Sequence, residues 1–220
     1  MTTPTLTIAE EVVLLQLHDE DGTFIHITDW SNRYAMSGAV LMELAEAGRI
    51  DSDLEELYAT NTQPIGQEVA DEVLAEIGNL SDRRSIRYWV EFVSERVDDI
   101  RDEAITGLIR KGIIEQQDTR FLWVFRSRRY PVIDGRTEKE AKLRMYELLF
   151  SDNIPTPRDV ILLCLVHATG ILNALLPADQ LETVADRIEQ IRSLDLIGQD
   201  VVSAIKDIEL SIAIATAPLF

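Results

Sequence analysis

Residues 160–176, VILLCLVHATGILNALL, are the most apolar stretch of the chain, and they decide between a membrane protein and a globular fold. A membrane-spanning helix needs about 20 predominantly apolar residues, whereas this stretch is shorter and contains histidine, glycine and asparagine. Thr156, Pro157 and Asp159 precede it in an order typical of the first turn of a helix. The sequence therefore predicts a helix buried in a protein core.

Helical patterns cover most of the remaining chain. Thr7 and Glu10 form a capping box before an apolar run, and glycines such as Gly48 end several of the predicted helices. Ser81 and Asp179 are predicted to cap two further helices. No linker or low-complexity tract interrupts the chain, so the pattern predicts one mainly α-helical domain over residues 1–220, with residues 1–5 as a short tail.

The period changes from helix to strand after residue 112. The segments IIEQQ and FLWVF flank Asp118 and Thr119, which predicts a tight β-hairpin over about residues 113–126. Because side chains alternate along a strand, one face of the second strand is predicted to carry three aromatic residues, Phe121, Trp123 and Phe125. Such aromatics are typical anchors of oligomer or partner contacts.

Positive charge is concentrated in one segment of an acidic chain. The chain has 21 Lys and Arg against 39 Asp and Glu, a formal net charge of -18. Residues 120–144 hold 8 basic and 3 acidic residues, or +5, so the other 195 residues hold 13 and 36, or -23. Such acidity argues against general nucleic-acid binding, because most of the surface repels phosphate. Arg126, Arg128 and Arg129, beside aromatics in RFLWVFRSRRYP (120–131), instead favour an anionic membrane or a protein partner.

The sequence contains no pattern that supports catalysis, a metal or a cofactor. His18 and His26 have no cysteine or histidine at zinc-ligand spacing, and nucleotide-binding and nucleophile-elbow motifs are absent. Cys164 and His167 lie three residues apart in the apolar stretch, where a thiol usually behaves as a small hydrophobe. A single cysteine excludes an intramolecular disulfide and suits a reducing compartment, and the N-terminus has no signal-peptide pattern.

The order and spacing of five segments resemble the Golgi phosphoprotein 3 family, which includes the GPP34 domain and yeast Vps74. The resemblance runs from Leu6 to about residue 215. Its segments are LTIAEEVVLLQLHDEDGTF, SGAVLMELAEAGRI, LIRKGIIE followed by FLWVF, YPVID, and PTPRDVILLCLVHATGILNALL. The resemblance implies a compact, mainly helical domain with a protruding β-hairpin. The chain is most similar to the compact, bacterial-like members, because it lacks a long basic N-terminal tail.

The resemblance also implies a function. Family members are non-enzymatic peripheral membrane proteins that bind phosphatidylinositol 4-phosphate in a basic pocket, and their hairpin contributes to oligomer contacts. In a eukaryote the expected location is the cytosolic face of the Golgi, and in a bacterium the cytoplasm. The family's pocket tryptophan corresponds to Trp30, and one of its two helical basic residues corresponds to Arg101.

The pocket departs from the family pattern at two positions. The arginine at the start of the second helix is replaced by Ser37, for which Arg33, one turn earlier, is the expected substitute. The second basic position is Asp98, whose charge would repel a phosphoinositide head group. The expected lipid contacts are therefore Trp30, Arg33 and Arg101, together with the hairpin arginines.

Other interpretations remain open from the residues alone. A soluble interaction module that has lost specific lipid binding would use the hairpin for contacts with a partner or a second copy. The aromatics could instead fill the core while the arginines pair with the chain's own acids. A winged-helix regulator would fit AITGLIRKGIIEQQDTRFLWVF, although the acidic helix before it is poorly placed for a DNA groove. An enzyme has no supporting constellation.

Overall fold

Most of the described residues form α-helices that pack around two central helices, α1 and α2. The computed structural model describes residues 5–18, 21–53, 56–121, 125–133, 135–194, 200–201 and 203–208. For residues 118–121, 125–128 and 135–140 it describes the backbone alone. The helices are α1 (Ile8–Leu15), α2 (Asp29–Glu46), α3 (Glu68–Asn79), α4 (Ile86–Ser94), α5 (Val97–Arg110), α6 (Gly135–Phe150), α7 (Pro157–Ala168), α8 (Ile171–Leu175) and α9 (Ala178–Arg192). The strands are β1 (Ile50–Asp53), β2 (Glu56–Ala59), β3 (Arg84–Ser85), β4 (Gln117–Phe121) and β5 (Phe125–Arg129).

This architecture confirms the prediction of a mainly α fold with a β-hairpin. Strands β4 and β5 form the antiparallel hairpin, and β1, β2 and β3 form a separate antiparallel sheet. Helix α1 lies at the centre of the helical part, because all eight of its residues are buried. It contacts α2, α5, α6 and α7.

The apolar stretch 160–176 lies in the core, as the sequence predicts. It forms most of α7 and all of α8. The helical conformation is interrupted between them at Gly170, whose φ is 73°. Nearly every residue of α7 after Arg158 is buried against the rest of the domain. Within the described ranges, no helix combines the length and the apolar character that crossing a bilayer requires.

The capping patterns before α1 and α7 are confirmed. The Thr7 hydroxyl accepts a hydrogen bond from the Glu10 amide at 3.1 Å, and the Glu10 carboxylate accepts one from the Thr7 amide at 2.7 Å. Thr156 and Asp159 form the same reciprocal pair at the start of α7. Both helices therefore begin where the sequence places them.

Two predicted caps are wrong. Helix α4 is capped by Ser85, not Ser81, because residues Arg84 and Ser85 first pair with β2 as strand β3. Helix α9 starts directly after Pro177, and Asp179 lies in its first turn instead of at the cap. An acidic residue there still interacts favourably with the helix dipole.

The hairpin has a different register from the one that the sequence predicts. Asp118 and Thr119 lie inside β4, opposite residues of β5, so the predicted turn at these two residues is wrong. The register is set at the base of the hairpin, where Ile114 forms an antiparallel bridge with Val132. The residues between the two strands, 122–124, lie outside the described part of the chain.

Two adjacent carboxylates are buried in α1. Glu10 is 3% exposed and Glu11 is 2% exposed. Glu10 forms an ion pair with Lys111, which follows the last turn of α5. Glu11 forms ion pairs with Arg144 of α6 and, at 2.9 Å, with Arg158 of α7. Each buried charge thus has a cationic partner on a different element.

Arg158 and Arg144 extend this ionic network. Arg158 also pairs with Glu46 at 2.6 Å and lies 3.7 Å from Glu43, both on α2. Arg144 pairs with Asp159 at 2.8 Å. The network therefore joins α1, α2, α6 and α7 through charged side chains.

Helix α5 approaches α1 so closely that only glycine fits at position 107. A Cβ atom on Gly107 would lie 2.2 Å from the Glu10 Oε1 atom. That carboxylate is held by the Thr7 amide and Lys111, so it cannot move away freely. The small residue at 107 therefore sets the distance between the two helices.

Gly107→Ala is expected to destabilise the fold by roughly 1–3 kcal/mol, the range for overpacking a buried site. Helix propensity alone predicts the opposite sign, since alanine favours a helix over glycine by about 1 kcal/mol. Urea unfolding would measure the effect, with Thr106→Ala on the exposed side of α5 as the control. An alanine variant as stable as the native protein would contradict the close approach.

Glu43 makes stability depend on pH. Burial raises the pKa of the Glu43 carboxyl above its ordinary value of 4.5, against the opposing effects of the Ile8 amide and Arg158. The folded protein therefore holds this proton more tightly than the unfolded chain. By linkage, the free energy contributed by Glu43 is most favourable below pH 4.5 and falls as the pH rises through its folded pKa.

Glu43→Gln tests this dependence, since glutamine keeps an oxygen for the Ile8 amide but does not titrate. The stability of the native protein minus that of the variant should fall between pH 4 and pH 7, measured by urea unfolding. A difference that rises with pH would show that the charge of Arg158 outweighs burial. A constant difference would show that folding does not change the pKa of Glu43.

Candidate functional site

Arg101 lies at the base of the hairpin. Its side chain is half-buried on α5, and the guanidinium carbon lies 4.0 Å from the centroid of the Phe24 ring. The Phe24 ring in turn meets Tyr130 edge-on, with centroids 5.8 Å apart. A guanidinium stacked on an aromatic face keeps its N–H edge available for an anion.

The loop that carries Phe24 is attached to the hairpin base through Gly22. The Tyr130 amide donates a hydrogen bond to the Gly22 carbonyl at 2.9 Å. Gly22 has a φ of 64°, and a Cβ atom there would lie 2.3 Å from the Tyr130 and Pro131 backbone. Both the conformation and the close approach require glycine, so this residue positions Phe24 beneath Arg101.

Arg129 lies beside the same loop. Its side chain is half-buried, and its Nε atom is buried with no acceptor among the described residues. Hydrogen bonds from Thr23 lower the pKa of Asp21, and the nearby charge of Arg129 lowers it further. Arg101 contacts Phe24 of this loop, and Arg129 lies near Asp21 of the same loop. Both arginines therefore lie at the base of the hairpin.

Trp30 and Arg33 lie at the start of α2, immediately after this loop. The half-buried Trp30 ring packs against Tyr34, with centroids 5.3 Å apart, and its indole N–H has no acceptor among the described residues. Arg33 is exposed and forms no ion pair within the described part of the chain. The guanidinium of Arg101 lies over Phe24 and not over Trp30.

Ser37 has a structural role. It is 0% exposed, and its hydroxyl donates a hydrogen bond to the Val90 carbonyl at 2.7 Å. It therefore joins α2 to α4 inside the core, where it offers no group to a ligand at the surface. Asp98, by contrast, is exposed in the first turn of α5, one turn before Arg101. Its charge interacts favourably with the helix N-terminus.

Part of the basic segment serves the fold. Arg144 belongs to the ionic network, and Lys142 donates to the Leu17 carbonyl at 2.7 Å. Arg144 of the basic segment therefore pairs with the chain's own acids, whereas the same alternative for the hairpin arginines stays a prediction. The positive charge available at the surface is correspondingly smaller than the count for residues 120–144 indicates.

The remaining hairpin residues stay predictions. The strand register places Arg126 opposite Arg120, and Arg128 opposite Asp118. The side chains of Phe121, Phe125, Arg126 and Arg128, and the whole of Trp123, lie outside the description.

Phe24 and Tyr130 are the site residues that sequence reasoning missed. Tyr130 is one aromatic of the stretch 120–131, and Phe24 lies more than 100 positions away from it. The local signal was an aromatic two residues after a loop glycine, Gly22. No spacing rule connects such a residue to the base of a distant hairpin.

Of the cysteine and histidine of α7, Cys164 lies in the core and His167 is half-buried. Cys164 is 1% exposed. Burial lowers the pKa of His167, and the charges of Arg192 and Lys206 lower it further. Among the described residues, no group of three or more potential metal ligands occurs.

Comparison with known proteins identifies the family. The model of the family described as Golgi phosphoprotein 3 (GPP34) matches residues 8–208. The chain belongs to the GPP34 family. This GPP34 protein is 24% identical to vacuolar protein sorting-associated protein 74 of Eremothecium gossypii, over 79% of the chain and 62% of that relative. It is 27% identical to the protein of the same name in Schizosaccharomyces pombe, over 78% of the chain and 61% of the relative.

The GPP34 domain thus accounts for nearly the whole chain, from α1 to the helical residues 203–208. The chain spans about three fifths of the length of these two relatives. The family match includes Phe24, Arg101 and Tyr130, so the hairpin base is part of the shared domain.

The Arg101–Phe24 contact should be measurable in a double-mutant cycle. Phe24→Leu and Arg101→Met together should cost less than the sum of the single changes, with a coupling of about 0.5–1 kcal/mol for a partly exposed cation–π pair. Urea unfolding of the four proteins gives the coupling. Phe24→Leu combined with Arg110→Met, at the far end of α5, should be additive, whereas additivity in both cycles would exclude the contact.

Proposed function

We propose that this GPP34 protein is a non-enzymatic peripheral adaptor that binds an anionic lipid surface through the base of its hairpin. The observation that carries the proposal is the half-buried Arg101, which is stacked on Phe24 at 4.0 Å and has no carboxylate paired with it in the described part of the chain. In a chain of net charge -18, an arginine without a carboxylate partner favours an external anion.

Phosphatidylinositol 4-phosphate is the proposed lipid. Trp30 and Arg33 at the start of α2 would complete a site with Arg101, and Arg126, Arg128 and Arg129 would add attraction to the bilayer. Each such cation near an anionic surface contributes about 1 kcal/mol. Trp30 is already half-buried against Tyr34, so it would contact the lipid with its exposed edge.

The family match and the names of the two relatives, which refer to vacuolar protein sorting, support a role in membrane traffic. In a eukaryotic cell the protein would act at the cytosolic face of the Golgi, and in a bacterial cell in the cytoplasm.

A second candidate is a soluble interaction module without specific lipid binding. It is favoured by the burial of Ser37 in the core and by the exposed Asp98 one turn before Arg101. In this case the hairpin aromatics Phe121, Trp123 and Phe125 would contact a second copy or a partner protein.

Co-sedimentation with vesicles separates the two candidates. Three kinds of vesicle would be compared: phosphatidylcholine alone, phosphatidylcholine with phosphatidylserine, and phosphatidylcholine with phosphatidylinositol 4-phosphate. The two anionic kinds would carry the same total charge. The adaptor should bind both anionic types, less strongly at higher salt, and should prefer the phosphoinositide. Equal retention on neutral and anionic vesicles would reject the adaptor, and no binding to any of the vesicles would favour the soluble module.

Variants locate the binding surface. Arg101→Ala should weaken vesicle binding about fivefold, the equivalent of about 1 kcal/mol, and Arg126→Ala with Arg128→Ala and Arg129→Ala should weaken it further. Arg110→Ala removes the same charge from the other end of α5 and should have little effect. An equal loss in Arg101→Ala and Arg110→Ala would mean that net charge alone drives binding.

A further inference from the structure

A cleft whose lining residues differ from those of the hairpin base has the composition of an anion-binding site. It has a volume of about 260 Å³ and lies between β2 and the segment that leads from α3 into α4. Its lining includes Tyr58, Leu80, Arg83, Arg84 and Trp89. We infer that this cleft binds a small phosphomonoester.

The two arginines are held in place by aromatic rings. The guanidinium carbon of Arg83 lies 3.9 Å from the centroid of Tyr58, and that of Arg84 lies 5.8 Å from the centroid of Tyr88. Arg84 is also fixed by its backbone, which pairs with Leu57 in the sheet. A stacked guanidinium loses little freedom on binding, and its planar N–H edge matches the oxygens of a phosphate.

Arg83 is only weakly neutralised by the protein itself. Its nearest carboxylate is Asp53, 3.8 Å away, and the two side chains are 48% and 61% exposed. An ion pair between two such exposed groups contributes little free energy. A phosphate that approaches Arg83 therefore displaces no strong partner.

The charge of this cleft differs from that of a larger cleft between α3 and α5. Two arginines face one acid here, Asp82. The cleft of about 700 Å³ between α3 and α5 also contains two arginines, but they face four acids, Glu68, Asp99, Asp102 and Glu103. An excess of positive lining is unexpected in a chain of net charge -18, and it favours a negatively charged ligand.

The cleft is small, and Leu80 and Trp89 are among its apolar lining residues. Leu80 is exposed at the rim, and Trp89 is 2% exposed with an indole N–H that has no acceptor among the described residues. The volume is below the usual range for drug-sized ligands, so the ligand is of fragment size.

The site is independent of the proposed lipid contact. Its residues lie on β2, β3 and α4, whereas Arg101 and Phe24 lie on α5 and the loop before α2. The phosphate could come from a free phosphomonoester or from the head group of a lipid. The chemistry that recognises it is the same in both cases, so the experiment contains one arm for each source.

Phenyl phosphate is the probe for the first arm. In ¹H–¹⁵N correlation spectra, it should shift the indole signal of Trp89 in a saturable manner, with a dissociation constant of about 1 mM for so small a ligand. The signal is assigned by its loss in Trp89→Phe. Benzyl alcohol, which has the ring but no charge, should leave the signal in place.

Variants decide whether the arginines bind the phosphate. Arg83→Ala combined with Arg84→Ala should weaken binding at least about tenfold, whereas Arg87→Ala, on the exposed side of α4 beside Glu91, should not. If the double alanine variant does not fold, Arg83→Lys with Arg84→Lys keeps the charge but removes the planar fork, and it should still weaken binding. A non-saturating shift, or equal binding by the double variant, would overturn the inference.

The second arm uses vesicles of phosphatidylcholine with phosphatidic acid, whose head group is a phosphomonoester. If these vesicles displace phenyl phosphate and neutral vesicles do not, the source is a membrane lipid. If neither displaces it, the ligand is a soluble phosphomonoester. The Arg101→Ala variant should bind phenyl phosphate normally in either case, which keeps this test separate from that of the proposed function.

Discussion

The burial of two adjacent carboxylates on one short helix is the constraint on which the rest of this structure depends. Glu10 and Glu11 lie inside the domain, where an unpaired charge would cost several kcal/mol. Adjacent residues on a helix point in different directions, so no single partner can serve both. The partners are Lys111 for Glu10, and Arg144 and Arg158 for Glu11. They lie at the end of α5, on α6 and on α7, so the ion pairs fix these three helices around α1.

Such a network is more important for specificity than for net stability. Replacing a buried ion pair by apolar residues is often neutral, whereas the loss of one partner leaves a buried charge uncompensated. Arg158 pairs with acids on both α1 and α2, so it links these two helices to α7. The raised pKa of Glu43 shows that even this network does not fully compensate burial.

The same network determines where the candidate site can lie. The contact of Gly107 with Glu10 sets the position of α5, and Arg101 is carried on that helix. The close approach of Gly22 to Tyr130 then brings Phe24 under the guanidinium. Arg144 of the basic segment is used inside this network and adds little positive charge for a ligand.

The sequence by itself determined the helical class, the caps of α1 and α7 and the buried character of the stretch 160–176, because capping and hydrophobic periodicity act over a few residues. It also led to Arg101 through a resemblance whose family the comparison confirmed. Only the tertiary structure decided the hairpin register, the burial of Ser37 and the place of Phe24 beside Tyr130. These features depend on contacts between residues far apart in the chain, and no local pattern encodes such contacts.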